Sequence, residues 1–135
     1  MATTTATLTI ASTDLLSDEL ALTTSASLNI AGAATGISQA IGLSRLKISD
    51  TSETTLFDAS VYTDDKAHKV YIKNTSTTAA QYFLVKIAGS EIGRLYAGDF
   101  MIAPWSADTT STDCDITVTP SASSMTVEYM AFIDQ

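Results

Sequence analysis

The fold of this chain is decided between residues 68 and 134, where five apolar stretches follow one another: HKVYIKN (68–74), QYFLVKIAG (81–89), EIGRLYAGDFMIAPW (91–105), CDITVTP (114–120) and MTVEYMAFID (125–134). Residues alternate within them, as Val70 and Ile72 do with Lys69, Tyr71 and Lys73, which indicates β-strands with one buried face. Turns rich in Ser, Thr, Gly and Asp separate the stretches. Regularly spaced short strands of this kind predict an antiparallel β-sandwich.

The same period of two continues upstream with less regularity. Residues 13–20 (TDLLSDEL) could form a helical turn, and residues 37–41 either a short helix or part of an extended loop. We expect an all-β, jelly-roll-like sandwich, with an immunoglobulin-like sandwich as the alternative although its Cys…Trp…Cys signature is absent. The predicted strands are Ala6–Ala11, Ala21–Ile30, Leu43–Ser49, Thr54–Ala59, His68–Asn74, Ala80–Ala88, Ile92–Tyr96, Phe100–Trp105, Asp115–Thr119 and Met125–Ile133.

Two zones of the chain differ in composition. Residues 1–41 are dominated by Ala, Thr, Ser and Leu, and their only charged residues are Asp14, Asp18 and Glu19. Residues 42–135 contain the sharper strands and every basic residue. We therefore predict an extended N-terminal arm, or peripheral strands, over residues 1–41 and a β-sandwich domain over residues 42–135. An arm with so few charged residues is suited to burial against a neighbouring protomer, including by strand exchange.

Composition excludes several classes of function. The 135 residues carry a net charge of −8, and the seven Lys and Arg residues are scattered singly, so we expect no nucleic-acid partner. No stretch approaches the 18 apolar residues of a membrane span, so we expect no membrane insertion. The first twelve residues lack the basic and apolar segments of a signal peptide, and a single cysteine excludes an intrachain disulfide. Both observations favour synthesis in a reducing cytoplasm.

Catalytic motifs are absent from the sequence. It contains no G-x-S-x-G, H-E-x-x-H, P-loop or G-x-G-x-x-G pattern. The one histidine, His68, would need an activated serine and an orienting carboxylate beside it to act in hydrolysis. We expect it instead to be an exposed residue at the edge of a strand. The sequence thus predicts no enzyme and no catalytic residue, and a hydrolase is the third choice.

Metal and cofactor sites are likewise not predicted. The acidic candidates for Ca²⁺ are Asp64-Asp65 and Asp113-x-Asp115 with Asp108 nearby, but none has the spacing of an EF-hand. Aspartates in turns commonly hydrogen-bond to their own backbone instead. Cys114 lies between two aspartates, which should raise the pKa of its thiol and make it unreactive.

The pattern KVYIKNTST…YFLVKI…IGRLYAGDFMIAPW…DITVTPSASSMTVEYMAFID, from Lys69 to Asp134, resembles small β-sandwich virion proteins of tailed bacteriophages. Its sharpest part is Leu95–Trp105, with a turn at Gly98-Asp99, an apolar strand and then Pro104-Trp105; this chain has Ala97 where such proteins often have proline. The resemblance implies a non-enzymatic structural protein of the virion. A head decoration or cement protein on the capsid surface, synthesised in the host cytoplasm, is the first choice.

That resemblance implies the major capsid protein or another virion protein as partner, and a homo-oligomer, with a trimer favoured. The residues that we predict at interfaces are apolar residues of the arm together with the lone tryptophan. The alternative is a glycan-binding module of a phage fibre, phage tail or bacterial surface protein, in which Trp105 and Tyr96 would stack on sugars. The predicted interface residues are Leu8, Ile10, Leu15, Leu16, Leu22, Ile37, Ile41 and Trp105.

Overall fold

The computed structural model describes residues 3–15, 17–108 and 114–134. This part of the chain is built from strands, with one 3₁₀ turn at Ala59–Val61. The all-β class and the antiparallel sheets are confirmed. The strands are β1 Thr4–Ser12, β2 Leu20–Leu28, β3 Gln39–Ala40, β4 Ser44–Ile48, β5 Thr54–Phe57, β6 His68–Asn74, β7 Tyr82–Ile87, β8 Ser90–Tyr96, β9 Phe100–Trp105, β10 Ile116–Pro120 and β11 Met125–Ile133.

The strands from β3 onward form two antiparallel sheets. One sheet has the order β5-β10-β7-β8. In the other, β11 pairs with β6 on one side and with both β3 and β4 on the other side, while β9 pairs with β6. We call this second sheet the large sheet. Strands β1 and β2 form a separate two-stranded sheet, the N-terminal hairpin.

The core lies between the two sheets, which gives the body of the molecule a sandwich-like character. Alternate residues of each strand point into it, as the two-residue period requires. In β6, for example, Val70 and Ile72 are fully buried whereas Lys69, Tyr71 and Lys73 are not. The buried apolar side chains of this core are Ile48, Phe57, Ala59, Val70, Ile72, Phe83, Val85, Trp105, Ala107, Ile116, Val118, Met125, Val127 and Ala131.

A buried asparagine joins the two sheets at one end. The side-chain nitrogen of Asn74, at the end of β6, donates to the carbonyl oxygens of Gln81 at 3.1 Å and Leu95 at 3.0 Å. Its side-chain oxygen accepts from the backbone N–H of Ser76 at 2.9 Å. Because a buried amide is costly without partners, these bonds fix how the end of β6 sits against β7 and β8.

The turn between β7 and β8 has only two residues, Ala88 and Gly89, flanked by the paired residues Ile87 and Ser90. Both turn residues have positive φ, 52° and 70° respectively. That combination is the type I′ turn, whose twist matches that of the strands it joins. Strand β7 therefore ends at Ile87, one residue before the end of the predicted strand Ala80–Ala88.

Two local predictions are wrong. The helical turn considered over residues 13–20 is not a helix at its described residues, which form bends in which the Ser12 hydroxyl accepts from the N–H groups of Asp14 and Leu15. His68 is fully buried rather than exposed, since β6 is flanked by β9 and β11. For residues 37–41 the extended alternative is confirmed, because Gln39–Ala40 forms strand β3.

Candidate functional site

The N-terminal hairpin has one apolar face and one hydroxyl-bearing face. Its register runs without interruption from Thr4 opposite Leu28 to Ser12 opposite Leu20. Since successive residues of a strand point to opposite faces, this register sorts the side chains cleanly. One face carries Thr4, Ala6, Leu8, Ile10, Ser12, Leu20, Leu22, Thr24, Ala26 and Leu28, and the other carries Thr5, Thr7, Thr9, Ala11, Ala21, Thr23, Ser25 and Ser27.

Four hydroxyl groups of the hydroxyl face are paired with each other within the hairpin. The Thr7 and Ser25 hydroxyls lie 2.9 Å apart, and those of Thr9 and Thr23 lie 3.4 Å apart, each pair directly across the two strands. Cross-strand hydroxyl pairs of this kind stabilise a two-stranded sheet. This face therefore needs no partner other than water.

The apolar face is left uncovered over much of its length. Leu8, Ile10 and Leu22 are 41%, 44% and 46% exposed. A two-stranded sheet is at best marginally stable in water unless its apolar face packs against something. The contrast between the two faces makes the apolar face the part of this hairpin that is suited to a contact.

The base of the hairpin is attached to the body of the molecule. The Thr4 hydroxyl donates to the Ile37 carbonyl oxygen at 2.9 Å, and the Ile37 N–H donates to the Leu28 carbonyl oxygen at 2.7 Å. Leu28 and Ile37 are both buried. Further along, the Ala31 N–H donates to the carboxylate of Asp134 at 2.8 Å. Among the described residues, these bonds fix the hairpin at its base.

A groove of about 480 Å³ separates the hairpin from the outer face of the large sheet. On the sheet side it is lined by Tyr71, Phe100, Ile102 and Phe132. Phe100 and Ile102, on the edge strand β9, are 58% and 47% exposed. The hairpin side is formed by residues 4–9, 24–26 and 28. The described residues between 10 and 23, in the half of the hairpin nearer its tip, do not line the groove.

The outer face of the large sheet is basic. Its five strands carry four basic residues and one acid, all on this face by the alternation that places Tyr71 there: Arg45, Lys47, Lys69, Lys73 and Glu128. The face thus has a formal charge of +3 in a chain of net charge −8. The face combines these charges with the apolar side chains of Tyr71, Phe100, Ile102 and Phe132, and such a mixture is found in protein interfaces.

Glu128 is ionised and held in place on this face. The Arg45 Nε donates to its Oε2 at 2.8 Å, and the Tyr71 hydroxyl donates to its Oε1 at 3.1 Å. The Arg45 hydrogen bond lowers the pKa of Glu128 more than burial raises it. Burial raises the pKa of Tyr71, and its hydrogen bond to Glu128 adds to that effect. Lys47 and Lys73 form no ion pair within the described residues.

The structure brings together only some of the residues that we predicted at interfaces. Leu8, Ile10 and Leu22 share the apolar face of the hairpin, and Leu15 lies at its tip, 69% exposed. Leu16 lies outside the described residues. The roles of these five leucine and isoleucine residues of the hairpin in an interface stay predictions.

The other predicted interface residues belong to the body. Ile37 is fully buried below the base of the hairpin, and Ile41 is half-buried against the core. Trp105 is 4% exposed, and its indole nitrogen donates to the Cys114 carbonyl oxygen at 2.8 Å. In this structure none of the three presents a free side chain to a partner.

Trp105 belongs to an aromatic cluster in the core that also contains the histidine. Its ring centroid lies 4.9 Å from that of Tyr62 and 5.8 Å from those of Phe57 and His68. The His68 Nδ1 accepts from the Asp134 N–H at 3.1 Å, so a proton on Nε2 can be donated to the Thr63 carbonyl oxygen at 3.0 Å. These bonds use both ring nitrogens in holding the strand ends together.

Tyr96 lies apart from Trp105, on the outer face of the other sheet. It is 43% exposed and its ring centroid lies 5.3 Å from that of Tyr82. The Arg94 guanidinium carbon lies 4.6 Å from the centre of the Tyr82 ring. The surface aromatic group is therefore Tyr82 with Tyr96, rather than Tyr96 with Trp105.

The acidic candidates do not form a metal site among the described residues. Asp64, Asp65 and Asp108 line a shallow depression together with the half-buried Cys114. Asp113 lies outside the described residues. No group of three or more His, Cys, Asp or Glu side chains in the described part of the chain is arranged to hold a metal ion. Nor does any helix within that part have the length and apolar character to cross a membrane.

Sequence reasoning missed the sheet wall of the groove. The alternation in β9 that places Phe100 and Ile102 on one face, and Met101 and Ala103 on the other, was visible in the sequence. Its significance depended on the pairing of β9 with β6 at a sheet edge, because that pairing sets Ile102 beside Tyr71.

Comparison with known proteins finds no match. No family model, no curated protein and no solved structure is similar to this chain at a significant level. The interpretation of the hairpin and the groove therefore depends on their own geometry and chemistry.

Proposed function

We propose that this chain is a structural protein of a tailed-bacteriophage virion, a decoration or cement protein of the capsid surface that oligomerises and stabilises the shell by contact. The observation that carries the proposal is the hairpin fixed at its base with an uncovered apolar face. Such a face gains free energy by burial, roughly 25 cal/mol for each Å² of apolar surface removed from water. The resemblance of residues 69–134 to virion proteins supports the same function.

We also propose that the sandwich has a jelly-roll-like topology, which is compatible with sheets whose neighbouring strands are distant in sequence, such as β5 with β10 and β6 with β11. We propose further that residues 1–41 supply an extended arm. The hairpin strands β1 and β2 of this segment pair with each other, whereas β3 belongs to the large sheet. The partner would be the major capsid protein or another virion protein, and the site of action the virion surface.

The test is co-sedimentation of the purified chain with heads of the bacteriophage whose genome encodes it. The triple variant Leu8→Thr, Ile10→Thr, Leu22→Thr removes the apolar face while threonine keeps the strand preference. We expect the native chain to sediment with heads and the variant to stay in the supernatant with unchanged circular dichroism. Equal sedimentation of both proteins would refute a role for this face.

A matched control uses the opposite face of the same hairpin. The variant Thr5→Ser, Thr9→Ser, Thr23→Ser also changes three positions on the hairpin but keeps the hydroxyl groups. We expect it to sediment with heads as the native chain does. A loss of binding in the control as well would mean that the hairpin acts through its fold or its hydroxyl face, not through Leu8, Ile10 and Leu22.

A glycan-binding module is the second candidate, and the Tyr82–Tyr96 pair with Arg94 favours it. Aromatic rings with polar edges are common in binding surfaces, and an arginine beside them could bind a hydroxyl or carboxylate of a sugar. A glycan array is the direct test. Binding that is lost in Tyr96→Ala and Arg94→Ala, with stability unchanged, would favour this function. An array without bound glycans would exclude those glycans as ligands.

A further inference from the structure

We propose that the tip of the hairpin of one copy docks on the basic outer face of the large sheet of a second copy, with Leu15 entering the groove beside Phe100 and Ile102. This inference rests on the proposed function, because it names the partner of the hairpin within the oligomer. It follows from three observations: an uncovered tip, an uncovered apolar groove and opposite charges on the two.

The tip half of the hairpin lies beyond the groove of its own chain. Strands of nine residues span about 30 Å, and the groove is lined by hairpin residues only as far as Thr9 and Thr24. Ile10, Leu15 and Leu22 are all exposed at or near the tip. A contact that buries them must come from outside the chain.

The charges of the two surfaces are complementary. The tip segment between β1 and β2 contains Asp14, Asp18 and Glu19 and no basic residue, a formal charge of −3. The outer face of the large sheet has a formal charge of +3. No ion pair joins the two within the described part of one chain. Opposite charges on two surfaces steer association and fix its register.

The groove fits a narrow apolar element. Its walls are the base of the hairpin on one side and Tyr71, Phe100, Ile102 and Phe132 on the other. Leu15 lies in the segment that joins the two strands of the hairpin, and it is 69% exposed. A leucine that enters an aromatic groove and is surrounded by charged pairs would give the apolar core and polar rim of a specific interface.

The contact joins the tip to a different surface, the face, so it can close as a reciprocal two-fold dimer or as a larger ring, or it can continue as a filament. A base fixed to the body favours closure, because it gives each hairpin one direction relative to its own sheet. A trimer is the closed assembly that we expect. In it each copy supplies one tip and receives another, and the hydroxyl faces of the hairpins remain in contact with water.

Charge reversal tests this contact in the full-length protein, with mass measured by light scattering. The native chain is expected at three times its monomer mass of 14.2 kDa. The tip variant Asp14→Lys, Asp18→Lys, Glu19→Lys is expected at the monomer mass. The face variant Lys47→Glu, Lys73→Glu is expected at the monomer mass too.

The decisive variant combines both reversals in one chain. It restores opposite charges between tip and face, so the mass should return to that of the native oligomer. Reversal of two other exposed acids, Asp50→Lys and Glu91→Lys, controls for the change in net charge and should leave the mass unaltered. Circular dichroism identifies any variant that fails to fold, and the variant Leu15→Ser then tests the contact without a change of charge.

Each outcome bears on the inference separately from the proposed function. A native chain that is monomeric, reversed variants that remain oligomeric, or a combined variant that stays monomeric would each overturn the docking of tip on face. A monomer that binds phage heads through Lys47 and Lys73 would show that a capsid protein occupies this face, so the function would stand and the inference would fail. An oligomer that regains its mass but binds no heads would support the inference and refute the virion function.

Discussion

The carboxylate of Asp134 accepts a hydrogen bond of 2.8 Å from the backbone N–H of Ala31, 103 residues earlier in the chain. The same carboxylate oxygen accepts from the Ala67 N–H at 2.9 Å. Asp134 is 1% exposed and its own N–H donates to the His68 ring. One residue near the C-terminus thus fixes both the segment that follows the hairpin and the entrance to β6.

Replacement of Asp134 by alanine should lower the free energy of unfolding by about 3 kcal/mol, because it leaves two backbone N–H groups without their charged acceptor. Asp134→Asn keeps the shape and one acceptor oxygen, so its loss should be roughly half as large. Urea denaturation followed by fluorescence of Trp105 measures both. Equal stability of Asp134→Ala and the native chain would mean that water replaces the carboxylate at no cost.

The same carboxylate makes stability depend on pH. Burial alone would raise the pKa of Asp134, but the hydrogen bonds from Ala67 and Ala31 and the charge of Lys66 outweigh it, so the pKa lies below its ordinary value of 3.8. A lowered pKa in the folded state stabilises the fold above the ordinary value, and this contribution is lost as pH falls through the folded-state pKa. The stability difference between native chain and Asp134→Asn should therefore shrink from about pH 5 to about pH 2. A difference that stays constant over this range would contradict the assignment.

Trp105 should prove structural. Trp105→Ala removes the centre of the aromatic cluster and the bond to the Cys114 carbonyl oxygen, and core replacements of this size cost about 3–5 kcal/mol. Tyr96→Ala loses only the surface contact with Tyr82, so it should lower stability by about 1 kcal/mol or less. Thermal unfolding monitored by circular dichroism compares the two. If Trp105→Ala were as stable as Tyr96→Ala, the core position of the indole would be wrong.

Most strands could be predicted from the sequence because their signal is local. The alternation of Val70 and Ile72 with lysines and Tyr71 reports a buried and an exposed face without any knowledge of the neighbouring strands. The burial of His68 could not be predicted in the same way. It depends on Trp105 and Asp134, which are 37 and 66 residues away in the chain and meet it only after β9 and β11 pair with β6.

The candidate site could be predicted only in part, because its residues come together through the pairing of strands. Leu8, Ile10 and Leu22 stood out as apolar residues in a segment with few charges, and the structure places them on one face. Their common face follows from the register of β1 and β2, which the sequence does not specify by itself. The basic face of the large sheet was hidden, because Arg45 and Lys73 lie far apart in sequence and are brought onto one face only by the pairing of β4 and β6 with β11.

Asn74 should contribute to stability through the link between the sheets. Asn74→Ala removes two hydrogen bonds to backbone carbonyl oxygens and leaves a small cavity in their place, which should cost about 2–4 kcal/mol. Asn74→Asp keeps the volume but removes the donors, and it should be at least as destabilising at neutral pH because it buries a charge. Chemical denaturation of both variants is the measurement. A loss below about 0.5 kcal/mol for Asn74→Ala would mean that the sheets are held together without it.

Ala88 is a position where substitution should stabilise the protein. Its φ of 52° is the left-handed region, which costs a residue with a Cβ atom about 1 kcal/mol and which asparagine and glycine adopt more readily. Ala88→Asn creates the Asn-Gly pair preferred in type I′ turns, so the free energy of unfolding should rise by roughly 0.5–1 kcal/mol. Gly89→Ala is the matched control at the other turn residue, where φ is 70°, and it should lower stability by a similar amount. Thermal unfolding of both variants measures the two effects, and a destabilised Ala88→Asn would show that the turn is not of this type.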